Sequence, residues 1–371
     1  MELGNTVITE TDNLSIRHKG KVHDGKIRSV YWLNQKDSDV IGEQYFVCKP
    51  PQLGVMVISD RVSAFDCIWQ SENLKGVPGK GATLNAISEH WFNRFEEAEL
   101  TGNHILDKPH PLVWIVQKAE PIMVEAIARQ YLTGSMWREY KEGVREFCGI
   151  QLPNGLEEHQ ELNSLLITPT TKGVVNGIPG FSEREGQEGY DKDDADISRQ
   201  LIFNNFRRFG FRSSKDIDLY EILSEDGFEL ISEDLDGIGK IFVDTKFEFG
   251  YMVNQEGRRF FGYIDEVGTP DSSRYWEKEA YDGGEVKEKS KEYIRKKLLG
   301  GVPDPDVLLN DNRMDERKEL AKTYRLKDLD MLEMSKLYYR LAREITGSSI
   351  PGIINAREEI IASLDKCGLI G

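Results

Sequence analysis

The sequence predicts an α+β protein of two lobes, a strand-rich first lobe and a larger mixed one, followed by a helical tail. Three observations carry this expectation. The first third holds short β-branched and aromatic runs (IRSVYWL, QYFVCK, LGVMVIS, LVWIVQK) bounded by Gly, Pro or charged turns. Longer strand patterns then alternate with helical ones. From about Val286 the pattern is helical throughout, broken only by GGVPDPD and GSSIPG. A length of 371 residues allows two or three domains. We divide the chain at 1–122, 123–299 and 300–371.

Each element follows from local pattern. After the turn GVPGKG, Leu84, Ile87, Trp91 and Phe95 make an apolar stripe that predicts a helix from Ala82 to Glu97. AEPIMVEAIARQYL reads as a strand, and TGSMWREYKEG as a turn and short helix with Ser135 as its N-cap. TPTTKG leads into a Gly- and acid-rich run, GFSEREGQEGYDKDDAD, whose composition predicts a mobile loop or lid over 173–197. Helix is expected from Ser198 to Leu235. The strands KIFVDTKFEFGYMV and RRFFGYIDEV follow, joined by the turn NQEG. In the tail, Leu332, Leu337, Tyr338, Leu341 and Ile345 recur near helical spacing, which suits packing or a homo-oligomer surface.

Composition excludes several classes of function. Lys and Arg total 48 against 64 Asp and Glu, a net charge of −16 that repels a phosphate backbone, so no nucleic-acid partner is expected. Any anionic ligand must be met by a local cluster of cations. No apolar run approaches the ~20 residues that span a bilayer, and the polar N-terminus lacks a signal-peptide pattern, so no membrane partner and a cytoplasmic location are expected. Cys48, Cys67, Cys148 and Cys367 form no CxxC pair, and all six histidines lie at or before His159 without HExxH. A carboxylate-held metal remains open.

VDTKFEFG concentrates the chemistry. Alternation places Asp244, Lys246 and Glu248 on one face of the strand and Thr245, Phe247 and Phe249 on the other. A charged face on an arbitrary strand is most often solvated. Here the next strand brings Asp265 and runs into TPDSSR, so two carboxylates on adjacent strands could share a hard cation such as Mg²⁺, with Lys246 neutralising a phosphate or an acyl oxyanion. TPDSSR offers Asp271, two hydroxyls including Ser272, and Arg274 within one turn; such turns are usually only turns, but an Arg beside two Ser suits a dianionic phosphate. RQYLTGS places Arg129 at a strand end and Ser135 at a helix start. In GKIRSVY, Lys26 and Arg28 share a strand face behind Gly25, which suits a phosphate clamp, and no Walker A loop is present. Asp60 and Ser63 crowd the carboxyl end of LGVMVIS, where a capped turn is an equally good reading, and Lys80 of GVPGKG faces an anion or water.

Taken in order, GKIRSVY, SDRVSAFD, PGKGATLN, VEAIARQYLTGS, ITPTTK, VDTKFEFG and IDEVGTPDSSR resemble the phosphoribosylaminoimidazole-succinocarboxamide synthase (SAICAR synthetase) family over residues 20 to 300. The resemblance implies a two-lobed fold with an ATP cleft between the lobes, similar to protein kinases and ATP-grasp enzymes. It implies an ATP-dependent ligase of purine biosynthesis that joins L-aspartate to the carboxylate of 5-amino-1-(5-phosphoribosyl)imidazole-4-carboxylate (CAIR). By matching motif it places Lys26 and Arg28 on the ATP phosphates and the hinge Glu120 to Glu125 along the adenine. Glu248 and Asp265 would hold Mg²⁺, with the catalytic Lys246 and Asp244 beside them. Arg129, Ser135, Asp271, Ser272 and Arg274 would seat the phosphoribosyl group. Asp60, Ser63 and Lys80 would lie near the imidazole carboxylate or the incoming aspartate.

The chain departs from the family pattern in four places. Ser29 stands where GKVRD has its acid, and Gly268 replaces the leucine of IDEVLTPDSSR, which is expected to loosen that turn. The loop after TPTTK is unusual, and the tail is longer than expected of bacterial members. Two rival readings remain: a small-molecule kinase on the same scaffold, and a non-catalytic nucleotide sensor. A kinase would release ADP independently of aspartate, and a sensor would tolerate loss of the charged strand face.

Overall fold

The β-branched runs of the first third form one antiparallel sheet. In the computed structural model, which describes residues 7–173, 175, 178 and 195–371, the chain runs β1 (His23–Asp24), β2 (Arg28–Trp32), α1 (Gln35–Gly42) and β3 (Leu53–Ile58). A small hairpin, β4 (Val62–Ala64) and β5 (Cys67–Trp69), follows, then α2 (Lys80–Glu97), β6 (Ile105–His110) and β7 (Val113–Gln117). The sheet order is β1-β2-β3-β7-β6. QYFVCK, expected as a strand, forms turns instead. Phe46 is buried while Val47 is exposed, and Pro50 and Pro51, which lack a backbone donor, follow at once.

The second sheet begins after a two-residue crossing, so the boundary expected at 122 falls inside its first strand. Its elements are β8 (Glu120–Tyr131), α3 (Gly134–Lys141), the hairpin β9 (Glu146–Phe147) and β10 (Ile150–Gln151), β11 (Glu161–Ile167) and β12 (Thr170–Thr171). Then come α4 (Arg199–Asn204), α5 (Lys215–Asp236), β13 (Lys240–Val253), β14 (Arg259–Ile264), β15 (Arg274–Glu277) and α6 (Lys278–Asp282). The order is β11-β8-β13-β14, with β12 also on β8 and β15 also on β13. The helix expected over Ser198–Leu235 is thus two helices, parted where Gly210 takes a left-handed φ of 86°. Most of the expected lid lies outside the described residues.

The tail comprises α7 (Glu292–Gly301), α8 (Asp306–Leu309), α9 (Met314–Thr323), α10 (Asp328–Thr346) and α11 (Ala356–Lys366). In α10, Met331, Met334, Tyr338, Leu341, Ala342 and Ile345 are buried, a stripe set by helical periodicity. That stripe packs on α2, while α9 lies on β5 and α11 on β6. One buried apolar cluster therefore joins both sheets and the tail. No helix among the described residues is long and apolar enough to cross a membrane.

Candidate active site

A cleft of about 1040 Å³ opens between the two sheets. Its floor is a ladder of charge set by strand register. Glu248 of β13 lies directly opposite Glu125 of β8, and Asp244 lies opposite Arg129 on one side and Arg274 on the other. Cross-strand like charges repel, and two lysines resolve the Glu125–Glu248 conflict. Lys246 Nζ donates to Glu125 Oε1 and to Glu248 Oε1, both at 2.8 Å. Lys172 donates to the other Glu248 oxygen and lies 3.8 Å from Glu125 Oε1.

This arrangement splits the two carboxylates. Burial pushes Glu125 up to about 7, with Lys246 offsetting it in part. Burial also opposes ionisation of Glu248, but the Lys246 and Lys172 ammonium groups outweigh it and hold that carboxyl well below its ordinary value. Lys246 itself is kept charged: burial favours the neutral amine, and Glu248 and Glu125 overcome it. The cluster thus holds two fixed cations at the cleft floor.

Asp244 organises a second cationic group. It accepts from the Arg274 guanidinium and, at 3.2 Å, from the Arg274 backbone N–H, with Arg129 Nη1 at 3.5 Å. Arg129 Nε donates to Thr168 Oγ1 at 3.0 Å, and Arg274 Nη2 reaches Glu292 at 3.3 Å. Gly134 permits this packing. It has φ +65°, and a Cβ there would lie 2.5 Å from the Arg274 guanidinium. Ser135 lines the cleft but does not cap its helix. Thr133 holds the N-cap position, its hydroxyl paired with His159 Nδ1 at 3.1 Å, and no side chain caps the helix.

The structure also separates residues that the sequence put together. Lys26 and Arg28 do not share a strand, because β2 starts at Arg28; Lys26 lies in the preceding turn, exposed and paired with Asp66. Arg28 is nearly buried, 2.9 Å from Glu266 and 3.4 Å from Asp265, and both residues line the cleft. Ser29 points the other way, bonded to Asp24 at 2.8 Å and Thr11 at 2.7 Å, so the missing acid leaves no gap in the cleft. Ser63 and Ser272 line the cleft.

Asp60 and Lys80 do not line it, which corrects their expected place beside substrate. Asp60 is buried and accepts the backbone N–H of Gly81 at 2.8 Å and of Ile8 at 2.9 Å; burial nonetheless raises it to about 6. Lys80 is fully buried and donates to Asp271 at 2.7 Å, reaching neither a cleft anion nor water. Asp271 borders the cleft with its carboxylate taken up by protein donors. Gly268 does not loosen its turn. Its carbonyl accepts from Trp91 Nε1 at 3.2 Å and from Tyr275, and a Cβ there would lie 2.5 Å from the Trp91 ring.

Several cleft residues escaped the sequence reading. Lys172 ends the motif ITPTTK, so a signal existed in the order of motifs. Lys291, pushed down to about 8 chiefly by burial, and His104, pushed down to about 4 by burial, carry no local signature. Among the described residues no three His, Cys, Asp or Glu groups converge on a metal position. Glu248 and Asp265 are the carboxylates open to a cation with its other ligands from phosphate and water. Both Glu248 oxygens accept from lysines, however, and Asp265 lies 3.4 Å from Arg28, so a cation would displace an ammonium contact.

Comparison with known proteins agrees with this architecture. The SAICAR synthetase family model matches residues 21–304. A phosphoribosylaminoimidazole-succinocarboxamide synthase of Vibrio vulnificus is 53% identical over 369 residues, covering 99% of this chain and 98% of that protein. One from Aliivibrio salmonicida is 54% identical with the same coverage. The tail is therefore shared with these relatives, which corrects the expectation that it is longer than in bacterial members. A SAICAR synthase from Saccharomyces cerevisiae, solved in complex with SAICAR, shares the fold with TM-score 0.62 at 24% identity, covering 93% of this chain and 99% of that one. A type-2 SAICAR synthetase solved with ADP shares it with TM-score 0.55 at 18% identity, covering 90% of this chain and 100% of that one. A match over most of the chain, and identity above one half across its whole length, mean that this chain belongs to the SAICAR synthetase family.

Proposed function

We propose that the protein is an ATP-dependent ligase of de novo purine biosynthesis that joins L-aspartate to the carboxylate of CAIR, releasing SAICAR, ADP and phosphate. The observation that carries this reading is the whole-length match to synthases of that name. The charges of the cleft supply what the reaction needs. A carboxylate resists attack by an amine, so it must first be activated. The γ-phosphoryl group passes from ATP to a CAIR carboxylate oxygen, breaking its bond to ADP and forming an acyl phosphate. The aspartate amine then attacks the acyl carbon, phosphate leaves with the C–O bonding pair, and the nitrogen sheds its proton.

In this reading Lys246 neutralises charge that develops on the transferring phosphoryl group, held in place by Glu125 and Glu248. Lys26 and Arg28 serve the ATP phosphates, and the chain from Glu120 to Glu125 passes the adenine. Asp244 fixes Arg129 and Arg274, which with Ser135 and Ser272 take the phosphoribosyl group. Ser63 faces the imidazole carboxylate or the aspartate. Glu248 and Asp265 would hold Mg²⁺, which when bound neutralises triphosphate charge. Positioning of three anions side by side is the main task of the protein. A cytoplasmic location accords with three charged, water-soluble reactants.

A coupled ADP-release assay with CAIR, with and without L-aspartate, tests the proposal. Turnover should require both substrates. Full-rate ADP release without aspartate would favour the kinase reading instead.

A further inference from the structure

Asp271 sits in the loop Thr269–Arg274, immediately before the serines and Arg274 that face the cleft. Its carboxylate is buried, and elements distant in sequence anchor it. Lys80, the first residue of α2, donates to Oδ2 at 2.7 Å, and Lys291 lies 3.8 Å from the same oxygen. Tyr338, from the middle of α10, donates its hydroxyl to Oδ1 at 2.7 Å and lies 3.2 Å from the Pro270 carbonyl. One turn earlier on the same helix, Ser335 donates to the Pro78 carbonyl at 2.6 Å, so α10 also holds the segment that presents Lys80.

The loop's own hydrogen bonds are weaker than these anchors. Thr269 accepts from the backbone N–H of Asp271 and of Ser272, both at 3.3 Å, and the Ser272 hydroxyl lies 3.2 Å from Thr269 Oγ1. Bonds at 2.7 Å to an ionised carboxylate are the strong, charge-assisted kind. The loop is therefore anchored from outside: at Asp271 by α2 and α10, and at Ser273 and Arg274 by Thr245 and Asp244 of β13. Tyr338 is fully buried and does not line the cleft, so it cannot touch a ligand there. It also lies beyond residue 304, where the family match ends.

We propose that Tyr338 is a positioning residue for substrate binding, acting through Asp271 to hold Ser272 and Arg274 in their cleft-facing arrangement. This inference rests on the reading that the Thr269–Arg274 loop takes CAIR. It gives the C-terminal helices a task in the reaction.

The test uses the full chain and measures KM for CAIR and for ATP separately, with the thermal midpoint alongside. Tyr338→Phe keeps the ring and removes only the hydroxyl. It should raise KM for CAIR roughly five- to tenfold, the scale of one ordinary hydrogen bond, and leave KM for ATP within about twofold. In an Asp271→Ala background the same substitution should add almost nothing, because the coupling runs through that carboxylate. A purely structural role would lower the thermal midpoint without this division between substrates. An unchanged KM for CAIR, a parallel shift in both values, or full additivity with Asp271→Ala would overturn the inference. Arg274→Ala separates it from the reading beneath it. If Arg274→Ala raises KM for CAIR and Tyr338→Phe does not, only the inference fails; if Arg274→Ala leaves that value unchanged, both fail.

Discussion

Arg28 of β2 meets Glu266, two residues past β14, at 2.9 Å, so a nearly buried ion pair joins the two sheets across the cleft. Removing one partner of such a pair strands the other, at about 3–5 kcal/mol. Arg28→Ala should therefore lower the urea midpoint markedly as well as raise KM for ATP. Lys26, exposed and paired with the exposed Asp66, gives the contrast. Lys26→Ala should raise KM for ATP while changing stability by about 1 kcal/mol or less. Equal losses of stability in the two variants would show that Arg28 does not join the sheets.

Glu248→Gln should cut ATP-dependent turnover by about two orders of magnitude, the effect of losing roughly 3 kcal/mol from one preorganised electrostatic group. Lys246 keeps Glu125 as a partner in this variant, so the fold should suffer less than the chemistry. Steady-state turnover at saturating Mg²⁺ measures the first effect and urea unfolding the second. Near-normal turnover would remove Glu248 from the site.

Glu125 should impose a pH dependence on stability. Its carboxyl is pushed up to about 7 in the folded state, above its ordinary value of 4.5, so the folded protein binds the extra proton between those values. Stability linked to this group is full below about pH 4.5 and is lost as pH rises through 7. Comparing wild type with Glu125→Gln in urea, the advantage of wild type should shrink from pH 5 to pH 8. A constant difference across that range would mean that Glu125 titrates normally.

Gly268→Leu, the residue the resemblance leads one to expect there, should destabilise this chain. The backbone there has φ +56°, and the new Cβ would meet the Trp91 ring. A strained left-handed residue costs about 1–3 kcal/mol before any clash. Thermal unfolding reads the outcome, and a variant as stable as wild type would mean that Trp91 and the turn rearrange freely.

Much of this architecture was legible because it depends on local period. Alternation along VDTKFEFG put Asp244, Lys246 and Glu248 on one face, and they do face one cleft. The stripe in α10 was legible for the same reason, although Met331 and Met334 are buried more deeply than the Leu332 and Leu337 read from the sequence. What failed depends on partners far along the chain. Nothing near Lys80 shows that Asp271, 191 residues on, will draw it inward. Nothing near Asp60 shows that it will accept the backbone amides of Ile8 and Gly81. Lys26 and Arg28 both line the cleft, and only their shared strand face fails, because the strand begins two residues later than alternation suggests. Lys172 was visible only as the end of a motif, since a lysine in a loop has no period to betray its target.

β13 is hydrogen-bonded to β8, β14 and β15, and it carries Asp244, Lys246 and Glu248 along its length. Amides at the centre of a sheet exchange with solvent only through the largest openings of a protein. The peptide groups under these three side chains should thus be among the slowest to take up deuterium. Warming should then leave the charged floor intact until the whole molecule unfolds. Loss of activity and loss of fold should share one calorimetric midpoint, with no inactive but folded state between them.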